Sequence, residues 1–278
     1  MVKKKLIREY TDWKDIDNFL KDCKNNRVVK RTRNLNYLFL NASKTSFESD
    51  FSNFADSESY VFSEQCKSVV DVFIDWWNAQ KKINYWVGIS GSWRNINEGV
   101  VEDTSEVVRY IINKNMGILT GGALGVDYIA TEAVLKYGEP EKHLRIVLPI
   151  DRNVYMTYLT NVTLDGKKID RTQADFLTNQ LREIDSLYSG IIFDRSPVDE
   201  ARFMMADDED RKKIYHFRNS FIGYGCDGLA AFWVNQTKGV EDAIKKVKLM
   251  KKPVFVRKYE IDEDSKDIIN DYQLLKYP

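Results

Sequence analysis

"GILTGGALGVDYIATEAVL", residues 117–135, decides how this chain reads. A short apolar run at 117–120 breaks at Gly121 and Gly122. It resumes with Val126, Ile129, Ala130, Ala133 and Val134 at i, i+3, i+4, i+7 and i+8, one face of a helix. The spacing predicts a strand, a bare turn and a helix in immediate succession.

The same rhythm recurs on both sides. Compact apolar runs at 83–90 ("INYWVGIS"), 116–121, 144–150 ("LRIVLPI"), 228–234 ("GLAAFWV") and 252–259 ("KPVFVRKY") read as strands. Val107, Val108, Ile111 and Ile112 mark a helix after the first, and Val240, Ala243, Ile244 and Val247 mark another after the fourth. The strands are apolar throughout instead of at alternate positions, which argues for a parallel sheet covered on both faces. Residues 83–278 are therefore expected to form a Rossmann-like, doubly wound, mainly parallel α/β domain. Residues 151–215 interrupt the rhythm with helix candidates at 172–189 and 197–217 around a short apolar "GIIFD", and read as a helical insertion near the strand ends. Residues 1–82 read as an N-terminal α/β extension: a helix at 11–24, a strand at 34–43, a polar loop at 43–59 and a long amphipathic helix at 63–82.

Composition narrows the class. The chain has 278 residues, 43% of them apolar, enough for a sizeable core. Lysine plus arginine equals aspartate plus glutamate at 42 each, so no global field draws nucleic acid. Basic clusters at 3–5, 24–33 and 245–252 leave a local patch open. No apolar run is long enough to cross a bilayer, and the basic start lacks a following apolar signal segment, so no membrane association is expected and the cytoplasm is the default. Cys23, Cys66 and Cys226 show no C-x-x-C pairing, and the histidines are His143 and His216. No disulfide framework, metal site or cofactor is indicated. The oligomeric state is open, a homo-oligomer included.

In doubly wound sheets, ligands bind beyond the carboxyl ends of strands. Two glycine-bearing turns fall there: Ser90, Gly91, Ser92 and Arg94 after the first strand, and Thr120, Gly121, Gly122, Ala123, Gly125 and Asp127 after the second. Glycine lets a ligand approach the backbone, and a helix start offers free N–H groups to phosphate. Neither turn matches the G-x-G-x-x-G or G-x-x-x-x-G-K-[ST] fingerprints, and "GISGS" ends in Ser92 where a nucleophile elbow needs glycine. A third cluster comprises Arg218 and Asn219, then Thr237, Lys238 and Gly239 at the turn after the fourth strand. Each of these residues has an ordinary structural role as an alternative. Arg218 and Asn219 can cap and bridge, Asp127 can serve the helix dipole, and Trp93 can pack in the core instead of stacking on a base.

Taken in order, "VGISGSWR", "GILTGGALGVDYIATEAVL" and "RN" followed by "CDGLAAFWVNQTKGVEDAI" resemble the Rossmann-like superfamily of DNA-processing protein A (DprA, also called Smf) and the Lonely Guy phosphoribohydrolases. The likeness spans roughly residues 85–259, without much of the insertion. It implies a parallel sheet that binds a nucleotide, a nucleotide-derived phosphate ligand or single-stranded DNA at its glycine-rich edge. The Lonely Guy motif P-G-G-x-G-T-x-x-E would put Ala243 at its glutamate position, with Asp242 or Glu241 as substitutes. The expected function is nucleotide binding, with processing at the glycosidic or phosphate bond left open. The alternative is DprA-like binding of single-stranded DNA.

Overall fold

The computed structural model describes residues 9–25, 59–80, 83–164 and 169–262. The strand expected at 34–43, nearly all of the polar loop after it, and the basic residues at 3–5 and 26–33 lie outside these. Seven strands form one sheet among the described residues, in the order β1-β7-β6-β2-β3-β4-β5. They are β1 (Glu9–Tyr10), β2 (Trp86–Gly91), β3 (Gly117–Thr120), β4 (Leu144–Val147), β5 (Ile192–Phe193), β6 (Gly228–Val234) and β7 (Val254–Tyr259). Every pairing is parallel. The fold is thus α/β and Rossmann-like.

After β1 at one edge, the chain enters the middle of the sheet at β2 and steps outward through β3, β4 and β5. It then returns to the other side of β2 for β6 and β7. Right-handed crossovers made in opposite directions put their helices on opposite faces. One face carries α1 (Ile16–Asn25), α3 (Glu98–Asn113), α4 (Val126–Tyr137), α6 (Arg152–Leu164) and α7 (Arg171–Leu187), which bury Val87, Ile89, Ile118, Ile146 and Phe232. The other carries α2 (Ser59–Ala79), α9 (Asp208–Gly225) and α10 (Lys238–Leu249), which bury Leu119, Val147, Leu229, Ala231 and Val256. Between them come the short α5 (Pro140–His143) and α8 (Glu200–Met205).

Several elements depart from the sequence reading. "GIIFD" belongs to the sheet, because β5 pairs with β4 through Ile146 and Ile192. The helix expected at 197–217 is two helices: Asp207 leaves the helical conformation and accepts from Asp210 N at 2.8 Å, capping α9. That helix then runs through residues 220–225. The interval 152–164, unassigned in sequence, is α6. The N-terminal segment reaches the sheet edge as β1 beside β7, and Phe19 of α1 packs on Phe255 with ring centroids 5.8 Å apart. In α2, the ring of Phe73 meets Phe221 at 4.5 Å and Phe193 at 5.0 Å.

Candidate functional site

All three turns singled out in sequence follow parallel strands, so they share the carboxyl edge of the sheet. The reversal of strand order falls between β2 and β6, where two crossovers leave in opposite directions, the position at which open α/β sheets form a crevice. The turn after β2 and the turn after β6 flank it, and Ser92 N donates to Phe232 O at 3.3 Å between them.

The turn after β3 is tied together internally. Gly121 N and Ala123 N donate to Asp127 Oδ2 at 3.0 and 3.3 Å, and Gly122 N donates to Thr120 Oγ1 at 3.1 Å. Gly122 and Gly125 have φ of 62° and 68°, the region that favours glycine. Their hydrogen atoms also leave room for protein. A Cβ on Gly122 would stand 2.5 Å from Leu148 Cδ2, and one on Gly121 would run into the guanidinium of Arg218. On Gly91 it would run into Val126. On Gly125 it would meet the main chain of Ser92 and Trp93. The two turns are pressed together, and Val126 N donates to Ser92 O at 3.1 Å. Ser92 is buried, and its hydroxyl donates to Arg94 O at 2.6 Å.

Arg218 and Asn219 sit mid-helix in α9 and reach across to this edge. Arg218 Nη1 donates to Gly121 O and, at 3.3 Å, to Val147 O, while its Nε donates to Asn219 Oδ1 at 3.2 Å. Asn219 Nδ2 donates to Asp242 Oδ2 at 3.0 Å and reaches Gly239 O at 3.4 Å. One arginine and one asparagine thus join the ends of β3 and β4 to the first turns of α10. Asp242 also accepts from Lys246 at 3.0 Å and lies 3.9 Å from His216 Nδ1.

Burial pushes the Asp127 carboxyl up to about 6, against the opposing pull of the Arg218 charge and the two turn amides. Tyr155 of α6 and Tyr215 of α9 share a hydrogen bond beside this pair. Burial raises both, Tyr155 to about 12. Sequence reasoning missed Tyr155, since α6 carried no legible helical stripe, and it read Tyr215 only as part of a helix candidate.

The turn after β6 is different. Thr237 is the N-cap of α10, yet its side chain makes no capping bond, and its buried Oγ1 has no hydrogen-bond partner. Lys238 and Gly239 are exposed, and a Cβ on Gly239 would meet nothing within 4 Å. Ser90 and Gly91 are half-buried beside it, and Arg94 is exposed with its guanidinium 3.7 Å from the Trp93 ring centroid. The expected site residues therefore divide. Ser92, Thr120, Gly121, Gly122, Asp127, Arg218 and Asn219 are engaged with one another and with the main chain, whereas Arg94, Lys238 and Gly239 face outward.

The basic run at 245–252 is largely engaged. Lys245 pairs with Glu241 at 2.6 Å, Lys246 with Asp242, and Lys248 with Glu9. Lys252 donates to the carbonyls of Gly223, Tyr224 and Cys226 at the end of α9. Among the described residues, no helix is long and apolar enough to cross a membrane.

No family model matches the chain, and no curated protein does. Among solved structures it is similar to DNA processing protein A from Helicobacter pylori, a protein described for its single-stranded DNA binding mode. The identity is 19% over 66% of this chain and 67% of that one, with a TM-score of 0.43. Likeness at that level assigns no family.

Proposed function

We propose that the carboxyl edge of the sheet binds a phosphorylated, nucleotide-type ligand in the crevice outside β2 and β6. One observation carries this reading: where the strand order reverses, α10 starts with Lys238 and Gly239 exposed, and a Cβ on Gly239 would meet nothing within 4 Å. The leading N–H groups and dipole of that helix favour an anion. Lys238 and Arg94 add positive charge from the two flanking turns. The internally bonded turn after β3 holds the turn after β2 in place rather than receiving the anion with its Gly121 and Ala123 amides.

Gly239→Asp tests this without disturbing the fold. The new side chain enters open space, and a carboxylate in the first turn of a helix is stabilising. A negative charge about 5 Å from a bound phosphate costs it about 1–3 kcal/mol near a surface. Titration calorimetry with a panel of nucleoside mono- and diphosphates is expected to find a ligand that the variant binds at least about tenfold more weakly, at unchanged melting temperature or above. Equal affinity in both proteins would place the phosphate elsewhere.

Single-stranded DNA is the competing reading, supported by the exposed Trp93 and Arg94 at the same crevice. Because Lys245, Lys246 and Lys248 are already ion-paired, such an interface would rest on Arg94 and Lys238. It predicts affinity that grows with oligonucleotide length and falls steeply with salt. Mononucleotide binding that is indifferent to length favours the first reading. Product analysis of the same mixtures reads any cleavage at the glycosidic or phosphate bond.

A further inference from the structure

The side of α10 that meets α9 carries a set of charged groups that the anion position itself does not use. Asp242, in the second turn of α10, is half-buried. Its Oδ2 accepts from Asn219 Nδ2 and from Lys246 Nζ, each at 3.0 Å, and its Oδ1 lies 3.9 Å from His216 Nδ1. Lys246 is buried and also donates to His216 O, which holds the main chain of α9 against the same carboxylate. Asn219 Nδ2 reaches Gly239 O at 3.4 Å as well, so the set adjoins the exposed first turn of α10. The other charges of the two helices around it are paired or point outward. Lys212 and Lys213, a turn before His216, pair with Glu209 and Asp210, and on α10 Lys245 pairs with Glu241. Lys238 is exposed at the helix start.

An acid in this place works against an anion at the start of α10. The Lys246 ammonium cancels its charge, so Asp242 and Lys246 together are neutral. The charge of the set then follows His216, since a neutral imidazole leaves it neutral and an imidazolium makes it positive. Imidazole is the side chain whose charge ordinarily changes between about pH 5 and 8. Beside a carboxylate oxygen an imidazolium is favoured by the opposite charge, and an anion at the first turn of the same helix favours it further. By linkage, whatever a bound anion does for the proton, the proton does for the anion.

We propose that His216 couples proton uptake to anion binding at the start of α10, with Asp242 and Asn219 joining its ring to the first turn. This rests on the proposed function above, and the experiment separates the two. Affinity rises as pH falls through the histidine range, and the gain is lost as pH rises through it. A unit charge about 10 Å from an anion near a surface changes its affinity by about three- to tenfold.

Inorganic sulfate, whose charge is constant over this range, and the four ribonucleoside monophosphates are titrated into the full chain, His216→Gln and His216→Lys at about pH 5.5 and about pH 8. The monophosphates themselves titrate near pH 6, so for them the proteins are compared at equal pH. Between the higher and the lower pH the unaltered chain is expected to gain about three- to tenfold more affinity than His216→Gln. His216→Lys, whose charge is permanent, is expected to keep the low-pH affinity at the higher pH. Calorimetry of sulfate binding in two buffers of different ionisation enthalpy is expected to show net proton uptake by the unaltered chain, and less by either variant. Parallel pH profiles for the unaltered chain and His216→Gln, or equal proton uptake in all three proteins, overturn the coupling while the anion site stands. Should a variant fail to fold, sulfate binding without proton uptake by the unaltered chain overturns it alone. If no probe binds the unaltered chain at either pH, both readings fall together.

Discussion

Replacing Gly125 by alanine tests whether the two glycine-bearing turns are one packed unit. At φ 68° and ψ −127° the new side chain sits in a region nearly reserved for glycine, a strain of about 1–3 kcal/mol. Its Cβ would also fall inside van der Waals contact of Ser92 O and 2.7 Å from Trp93 Cα. Both are main-chain atoms with no rotamer to yield. Relief requires the turns to separate by about 1 Å, which breaks the 3.1 Å bond from Val126 N to Ser92 O and leaves that buried donor unmet, at about 1–3 kcal/mol. The sum, about 2–6 kcal/mol, is a large share of the 5–15 kcal/mol typical of a folded domain. Equilibrium urea unfolding should show a lower midpoint at unchanged slope. Gly239→Ala, whose Cβ meets nothing, is the matched control and should shift stability by less than about 1 kcal/mol. A Gly125→Ala protein as stable as the parent would refute the idea that Gly125 is bare to let two backbones touch.

The buried Asp127 carboxyl, pushed up to about 6, holds a proton in the folded chain that it has lost in the unfolded one between about pH 4 and 6. Its contribution is therefore greatest at low pH and is lost as pH rises through 6. Between pH 5 and pH 7 the loss is about 1.4 kcal/mol. Asp127→Asn should gain that much on the parent over the same interval in paired urea titrations, and parallel pH profiles would contradict it. Phe73→Ala should cost about 3–5 kcal/mol, since it empties the ring cluster that joins α2 to the sheet. Ligand affinity outside β2 and β6 should be untouched under conditions where the variant is folded, as calorimetry would show.

Legibility in sequence followed the strength of burial. β2, β3, β4, β6 and β7 are apolar on both faces and so announced themselves as short continuous runs. β1 and β5 are two residues each, too short for any period to register. Helix α6 buries Val154, Tyr155, Met156 and Leu159, three of them consecutive, which draws no 3.6-residue stripe. Its β-branched residues add no helical preference either. The candidate site was legible as glycine-bearing turns at strand ends, because backbone conformation is a local property. Which turn is open was not legible. That depends on Asp127 folding back onto two amides and on Arg218 crossing 97 residues of sequence to reach Gly121 O.

The glycines of this edge fall into two kinds, separated by what a methyl group would meet. At Gly91, Gly121, Gly122 and Gly125 it would strike the protein itself, so bareness there serves close packing between β2, α4, α9 and the β3 turn. At Gly239 it would strike nothing. A glycine kept for internal packing fails by unfolding when substituted, and its substitution says nothing about ligand. A glycine over open space tolerates a side chain, so any loss of binding there reports on the ligand alone. Gly122→Val, with Leu148 at 2.5 Å, belongs to the first kind and Gly239→Asp to the second. The physical asymmetry lies across β2: on one side the Asp127 carboxylate and the Gly121 and Ala123 amides fix the turn, and on the other, where the strand order reverses, Gly239 stands over open space.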